Sequence, residues 1–118
     1  MSIGVEMKDR VDALIELLFD NTASITERDE AATGLSEFSD NRVITSLILK
    51  AKDFSENDLV LNSCGESLGA IWANRDVFDE NEYYSLPGVA RYGAYVAIKI
   101  KKPDWIEKYQ LDQDKFQI

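Results

Sequence analysis

Residues 55–75 read SENDLVLNSCGESLGAIWANR, and the fold of the whole chain turns on how this stretch is interpreted. Ser55 with Asp58 three residues later has the spacing of a helix-opening capping box, and Asp53 stands just ahead of it. Behind that cap, Val60, Cys64, Leu68, Ile71 and Trp72 recur at steps of three and four, which lines one face of a helix about five turns long. Small residues interrupt the same helix: Gly65, Gly69, Ala70 and Ala73, with Ser63 and Ser67 between them. A glycine inside a helix costs about 1 kcal/mol relative to alanine, so two in one helix call for a compensating reason. The reason expected here is close approach of a neighbouring helix. The stretch is read as the central helix of a stack.

Working outward, helical spacing covers most of the chain. An amphipathic helix is expected from about Val5 to Phe19, with Val11, Leu14, Ile15 and Leu18 inward and Lys8, Asp9, Asp12 and Glu16 outward. After a loop at Asn21–Ser24, Thr26 and Asp29 repeat the capping spacing and open a helix running through Ala31, Ala32 and Leu35 to Phe38. Ser39, Asp40 and Asn41 form a polar turn. A third helix carries Val43, Ile44, Leu47, Ile48 and Ala51 inward and ends near Asp53. Beyond the central helix, Asp79–Leu86 reads as a short helix capped by Asp79 with Glu82 at its third position. Pro87 either punctuates it or sits in the first turn of the next helix, Val89–Lys101. Pro103 stops that one, Asp104–Tyr109 forms a last short helix, and Leu111, Phe116 and Ile118 are the apolar residues of the tail. No strand-like alternation is present. The expectation is a single all-α domain over residues 1–118.

The chain also repeats itself. Ala31 and Ala32 fall on Cys64 and Gly65, Leu35 on Leu68 and Phe38 on Ile71, at an offset of 33 residues. Ala94 can be laid on the same pattern 30 residues after Cys64. A period in this range that holds two helices indicates an α-solenoid, in which each pair buries its face against its neighbours. Arg28-Asp29-Glu30-Ala31-Ala32 through Leu35, the Asp40-Asn41-Arg42-Val43 turn, Leu47-Ile48 and Lys52-Asp53 resemble one HEAT repeat. Asn62 to Trp72, with Leu68-Gly69-Ala70-Ile71, resembles the first helix of the next. The resemblance implies a HEAT-like solenoid of about three helix pairs that binds protein on a curved helical surface.

A narrower resemblance is to the small, acidic, HEAT-like immunity proteins of bacterial toxin–immunity systems of the contact-dependent growth inhibition type. It is carried by Glu56-Asn57-Asp58 through Leu61-Asn62-Ser63-Cys64-Gly65-Glu66-Ser67, by Tyr83-Tyr84-Ser85-Leu86-Pro87 and by Lys102-Pro103-Asp104-Trp105-Ile106. It implies a cytoplasmic protein that binds and neutralises a cognate toxin domain, often a nuclease, by occluding its functional surface. The reading from another class is a small HEAT-like adaptor or lyase-type module with an endogenous partner.

Composition bounds both. The 22 acidic and 13 basic side chains leave a formal charge of −9, the wrong sign for a protein that grips phosphate backbones. It suits a basic protein partner. One cysteine, Cys64, permits no internal disulfide, and its place on the apolar stripe makes it a small buried hydrophobe. The absence of histidine removes Ser–His and Cys–His machinery and the common zinc sites. The first residues lack the apolar run of a signal peptide, and no stretch approaches the ~20 apolar residues of a membrane span. Neither a glycine-rich phosphate loop nor an EF-hand pattern is present, so no enzyme, cofactor, metal site, nucleic-acid partner or membrane partner is expected.

The negative charge is unevenly spread. Residues 1–88 hold 18 acidic and 7 basic side chains, whereas residues 89–118 hold 4 and 6. Asp76, Asp79, Glu80 and Glu82 crowd into the segment after the central helix, beside Trp72, Tyr83 and Tyr84. Steering charge with aromatic anchors is a combination that strong protein interfaces use. These seven residues are therefore the candidate partner-binding set, the alternative being that the aromatics fill the seam between helices.

Overall fold

A computed structural model describes residues 9–113. The helical spacing is realised as α1 (Arg10–Leu18), α2 (Ile25–Gly34), α3 (Asn41–Ala51), α4 (Asp58–Arg75), α5 (Glu80–Ser85), α6 (Gly88–Lys101) and α7 (Pro103–Lys108). Single 3-10 turns follow at Leu35–Glu37 and Leu111–Gln113. No strand occurs among the described residues. The expected first turn of the opening helix at Val5, with Lys8, and the tail residues Phe116 and Ile118 lie outside them.

Helix starts are set by which of several adjacent polar side chains reaches the free N–H groups. For α2 the capping box is Ser24 with Glu27, two residues ahead of the expected Thr26 and Asp29. The Ser24 hydroxyl accepts the Glu27 N–H at 3.1 Å while the Glu27 carboxylate accepts the Ser24 N–H at 2.9 Å. For α4 the cap is Asn57, not Ser55, its side-chain oxygen accepting the Leu59 N–H at 2.8 Å. Ser55 is held instead by Asp53, whose carboxylate accepts both its N–H at 2.9 Å and its hydroxyl at 2.6 Å. Asp79 caps α5 as its spacing predicts, through the Glu82 N–H at 3.1 Å. Pro87 stands at the cap of α6, and Pro103 opens α7 at its first position. The second helix also ends early: α2 stops at Gly34 and Phe38 is extended.

Helix α4 is buried on nearly all sides, twelve of its residues being inaccessible, as befits the middle of a stack. Its Ser63 and Ser67 hydroxyls donate to Asp29 and to the Ala32 carbonyl of α2, the second at 2.7 Å. Those pairs ascend both helices together, so α2 and α4 run in the same direction. On the other flank Gly65 faces Ala90 and Gly69 faces Ala94, so α6 runs with α4 as well. A Cβ added to Gly65 would lie 1.8 Å from the Ala90 carbonyl oxygen, and one on Gly69 2.6 Å from that of Ala94. Gly93 answers from α6, where a Cβ would sit 2.3 Å from the Asn62 carbonyl oxygen. The close approach expected from the two glycines of α4 is thus met by a third on its neighbour.

A second row lies against the first. Arg42 at the start of α3 pairs with Asp9 at 2.8 Å and Asp12 at 2.7 Å, both at the start of α1. The Lys50 ammonium near the end of α3 sits 5.3 Å from the ring of Phe19 at the end of α1. Helices α1 and α3 therefore also share a direction. Lys52 reaches Glu82 of α5 at 3.6 Å. Between the rows the core is filled by Leu18, Leu35, Leu47, Leu68, Ile71 and Ile98. None of the helices among the described residues is long and apolar enough to cross a membrane.

Candidate partner-binding surface

The acidic segment begins where α4 ends. Asp76 adopts the left-handed conformation (φ 57°, ψ 35°), which an aspartate tolerates better than most side chains. The Val77 N–H then returns to the Trp72 carbonyl at 3.1 Å, closing the helix. The Asp76 carboxylate takes a hydrogen bond from Lys102 at 2.7 Å, which holds it below the usual carboxylate range and raises Lys102. Asp79 is engaged as the α5 cap, and Glu82 as the partner of Lys52 and of the Ser85 hydroxyl at 3.0 Å. Glu80 faces solvent from the first turn of α5. Asp76, Asp79 and Glu80 are all exposed, so the segment presents negative charge outward while its backbone is pinned.

The aromatics divide. Trp72 is 3% exposed and Tyr83 is fully buried, so neither belongs to the surface on which the sequence placed them. The reason is Phe78, which the sequence reading passed over. Its ring lies 5.8 Å from Trp72, 5.3 Å from Tyr83, 5.3 Å from Trp105 and 4.6 Å from Tyr109, centroid to centroid. This cluster draws Trp72 and Tyr83 inward and fastens the segment and α7 to the end of α4. The adjacent apolar pair Val77-Phe78 within a polar run was the available signal. Tyr84 alone stays outside, 44% exposed, edge-on to Tyr83 at 5.0 Å.

Next to the segment, Thr45, Ile48 and Leu49 of α3 and Lys52 just past its end meet Glu82 around a shallow hollow of about 240 Å³, with Leu49 exposed. The surface therefore continues from α5 onto α3.

No protein-family model, curated protein or solved structure matches this chain.

Two further sites bear on the chemistry. The Cys64 thiol is enclosed between α4 and its neighbours, and burial pushes it up to about 12, so it is a protonated packing group. Glu56 sits in the loop before α4 with its side chain buried. Burial alone would raise its carboxyl, but hydrogen bonds from Arg28, Lys50 and the Asn57 N–H outweigh that and bring it down to about 2. Arg28 approaches it with two nitrogens, each at 2.9 Å, and Lys50 at 2.9 Å. This is a structural clamp joining α2, α3 and the start of α4. No group of three or more Asp, Glu or Cys side chains among the described residues is placed to hold a metal ion.

Proposed function

We propose that this chain is a HEAT-like α-solenoid of about three helix pairs that acts as an immunity protein, binding a basic toxin domain and covering its functional surface. The toxin class is a nuclease, whose substrate-binding surface must itself be positive to hold phosphates. The observation that carries the reading is the acidic segment Asp76–Tyr84: exposed carboxylates and one exposed tyrosine on a backbone held rigid by the Phe78 cluster. Such a surface accelerates encounter with a basic partner and needs little reordering on contact. Occlusion requires no catalytic group and no cofactor.

The solenoid part is supported by the separation of the contacts that tie the helices together. Arg28 to Glu56 spans 28 residues, Arg42 to Asp12 and Asp9 30 and 33, and Ser63 to Asp29 and Ser67 to Ala32 34 and 35. Contacts between successive copies of one helix pair fall near the repeat length, and these bracket the 33-residue offset in the sequence, whereas α4 and α6 meet at a shorter step of 25 residues (Gly65–Ala90 and Gly69–Ala94).

Asp79 is needed as the cap of α5, so the charge reversal that tests this surface leaves it in place. Glu80→Lys with Glu82→Lys, assayed against the toxin domain encoded beside this gene, is expected to slow association at least ~10-fold at low salt. Helicity should be unchanged, and Tyr84→Ala should act mainly on dissociation. An association rate that keeps both its value and its salt dependence in the double variant would remove this surface from the interface. If no toxin gene lies beside this one, the adaptor reading takes precedence.

A further inference from the structure

We infer that residues 53–57 form a preorganised docking knob, presenting Phe54 to an apolar pocket with a basic rim on the partner protein. This rests on the reading that the chain binds a basic protein, and it names a second contact for that partner. Phe54 is 89% exposed, the most exposed large hydrophobic side chain among the described residues. A phenylalanine can bury on the order of 150–250 Å², so leaving one in water withholds a large favourable term from folding.

The loop has no freedom to fold it away. On one side of Phe54 the Asp53 N–H bonds the Lys50 carbonyl at 3.0 Å, and the Asp53 carboxylate holds Ser55 through two hydrogen bonds. On the other, the Glu56 N–H bonds the Asp53 carbonyl at 3.1 Å while its carboxylate is clamped by Arg28 and Lys50. Both shoulders of the knob are therefore fixed before any partner arrives. Binding through a preordered backbone avoids the cost of ordering a mobile loop on contact.

Its surroundings define the partner. Arg28 reaches from α2 both to the Ala23 carbonyl at 2.5 Å and to Glu56, and Lys50 lies over Phe19. These contacts gather the end of α1 and the starts of α2 and α4 around the knob. Phe19, Ile25 and Leu59 are exposed on those elements, and Asp20, Glu27 and Asp58 stand among them. An apolar centre with a carboxylate rim fits an apolar pocket edged by Lys and Arg. A second copy of this chain is disfavoured, because a twofold contact would set carboxylate against carboxylate. Phe54 also lies two residues, at most ~7 Å of chain, from Lys52, whose ammonium pairs with Glu82 of the acidic segment. One partner that covers the Lys52–Glu82 pair can thus reach both the knob and the Glu82 end of the segment.

A photo-crosslinking residue placed at position 54, 84 or 33 of the full chain, in the cells that carry this gene, tests the assignment; Thr33 is an exposed position on α2. Adducts to one protein at 54 and 84 but not at 33 are expected. With that protein purified, Phe54→Ala should raise Kd at least ~30-fold, chiefly through dissociation, with an unchanged melting temperature. Adducts at 84 without 54, or a Kd within about threefold of the parent, would overturn the knob and leave the acidic surface standing. Adducts at neither position would overturn both. A dimer that Phe54→Ala splits into monomers would also overturn the assignment, since the occupant would then be a second copy.

Discussion

The two flanks of α4 solve the same packing problem in opposite ways. Towards α6, Gly65 and Gly69, four residues apart, remove side chains altogether so that backbone meets backbone. Towards α2, Ser63 and Ser67 at the same spacing keep short polar side chains and use them as hydrogen-bond donors. The α2 flank is then locked at its base by the Arg28–Glu56–Lys50 clamp. One flank is specified by volume and the other by polar pairing. They should therefore fail under different perturbations: the first to added atoms at any pH, the second to loss of charge or hydroxyl.

The largest effect is expected at the glycine flank. Overpacking ordinarily costs about 1–3 kcal/mol, but that range assumes side chains that yield. The atom facing Gly65 is a backbone carbonyl, so Gly65→Leu should exceed it, and Gly65→Ala should be more destabilising than Gly69→Ala, following the 1.8 and 2.6 Å approaches. Urea melts of the two alanine variants decide this, and an inverted order would sink the seam as described.

Next comes the clamp. Glu56→Gln removes the charged partner of Arg28 and of the buried Lys50, leaving Lys50 only Asp53 at 3.6 Å, and breaking a buried pair costs about 3–5 kcal/mol. The amide still accepts one hydrogen bond, so about 3 kcal/mol is expected. Its pH dependence has a definite sign. The folded carboxyl titrates near 2 against an ordinary value of 4.5, so its contribution is present above 4.5 and is lost as pH falls from there toward 2. Melts of the parent between pH 5 and about 2 should show this loss. Glu56→Gln should flatten that slope in part, since Asp9, Asp53 and Asp76 also have lowered carboxyls. Gly65→Ala should keep the parental slope; a steeper or flatter one would mean that the two flanks are coupled.

A smaller loss is expected at Ser67→Ala, about 1 kcal/mol, because the Ala32 carbonyl loses a donor at a buried site. The smallest effect has the opposite direction. At Gly34 (φ −62°, ψ −30°) a Cβ would meet only the Leu14 side chain at 3.5 Å, ordinary contact, so Gly34→Ala should gain about 0.5–1 kcal/mol. A loss at Gly34 instead would show that this glycine too sits at a close approach, against the 3.5 Å contact with Leu14.

Much of this was legible beforehand. The stripe Val60, Cys64, Leu68, Ile71, Trp72 is buried as its period requires, and the glycines mark a close neighbour as their cost implies. The caps of α2 and α4 were each misplaced by two residues, since neighbouring Ser, Thr, Asn and Asp are near-equivalent as caps and local spacing does not choose among them. Of the seven candidate surface residues, Asp76, Asp79, Glu80 and Tyr84 are exposed and Glu82 is half-buried, while Trp72 and Tyr83 are buried around Phe78, which the sequence did not mark as their centre. The knob at Phe54 was missed entirely.

What the sequence determined by itself was therefore periodic or local: the helices, the inward stripes, the small-residue positions and the uneven charge. Each depends on residues a few positions apart, where helical geometry converts spacing directly into direction. Only the tertiary structure decided which aromatics face water, which flank of α4 packs by glycine and which by serine, and that Glu56 would be clamped from 28 residues away. Those outcomes depend on contacts between distant segments, where a tyrosine in a core and a tyrosine on a surface leave the same letter in the chain.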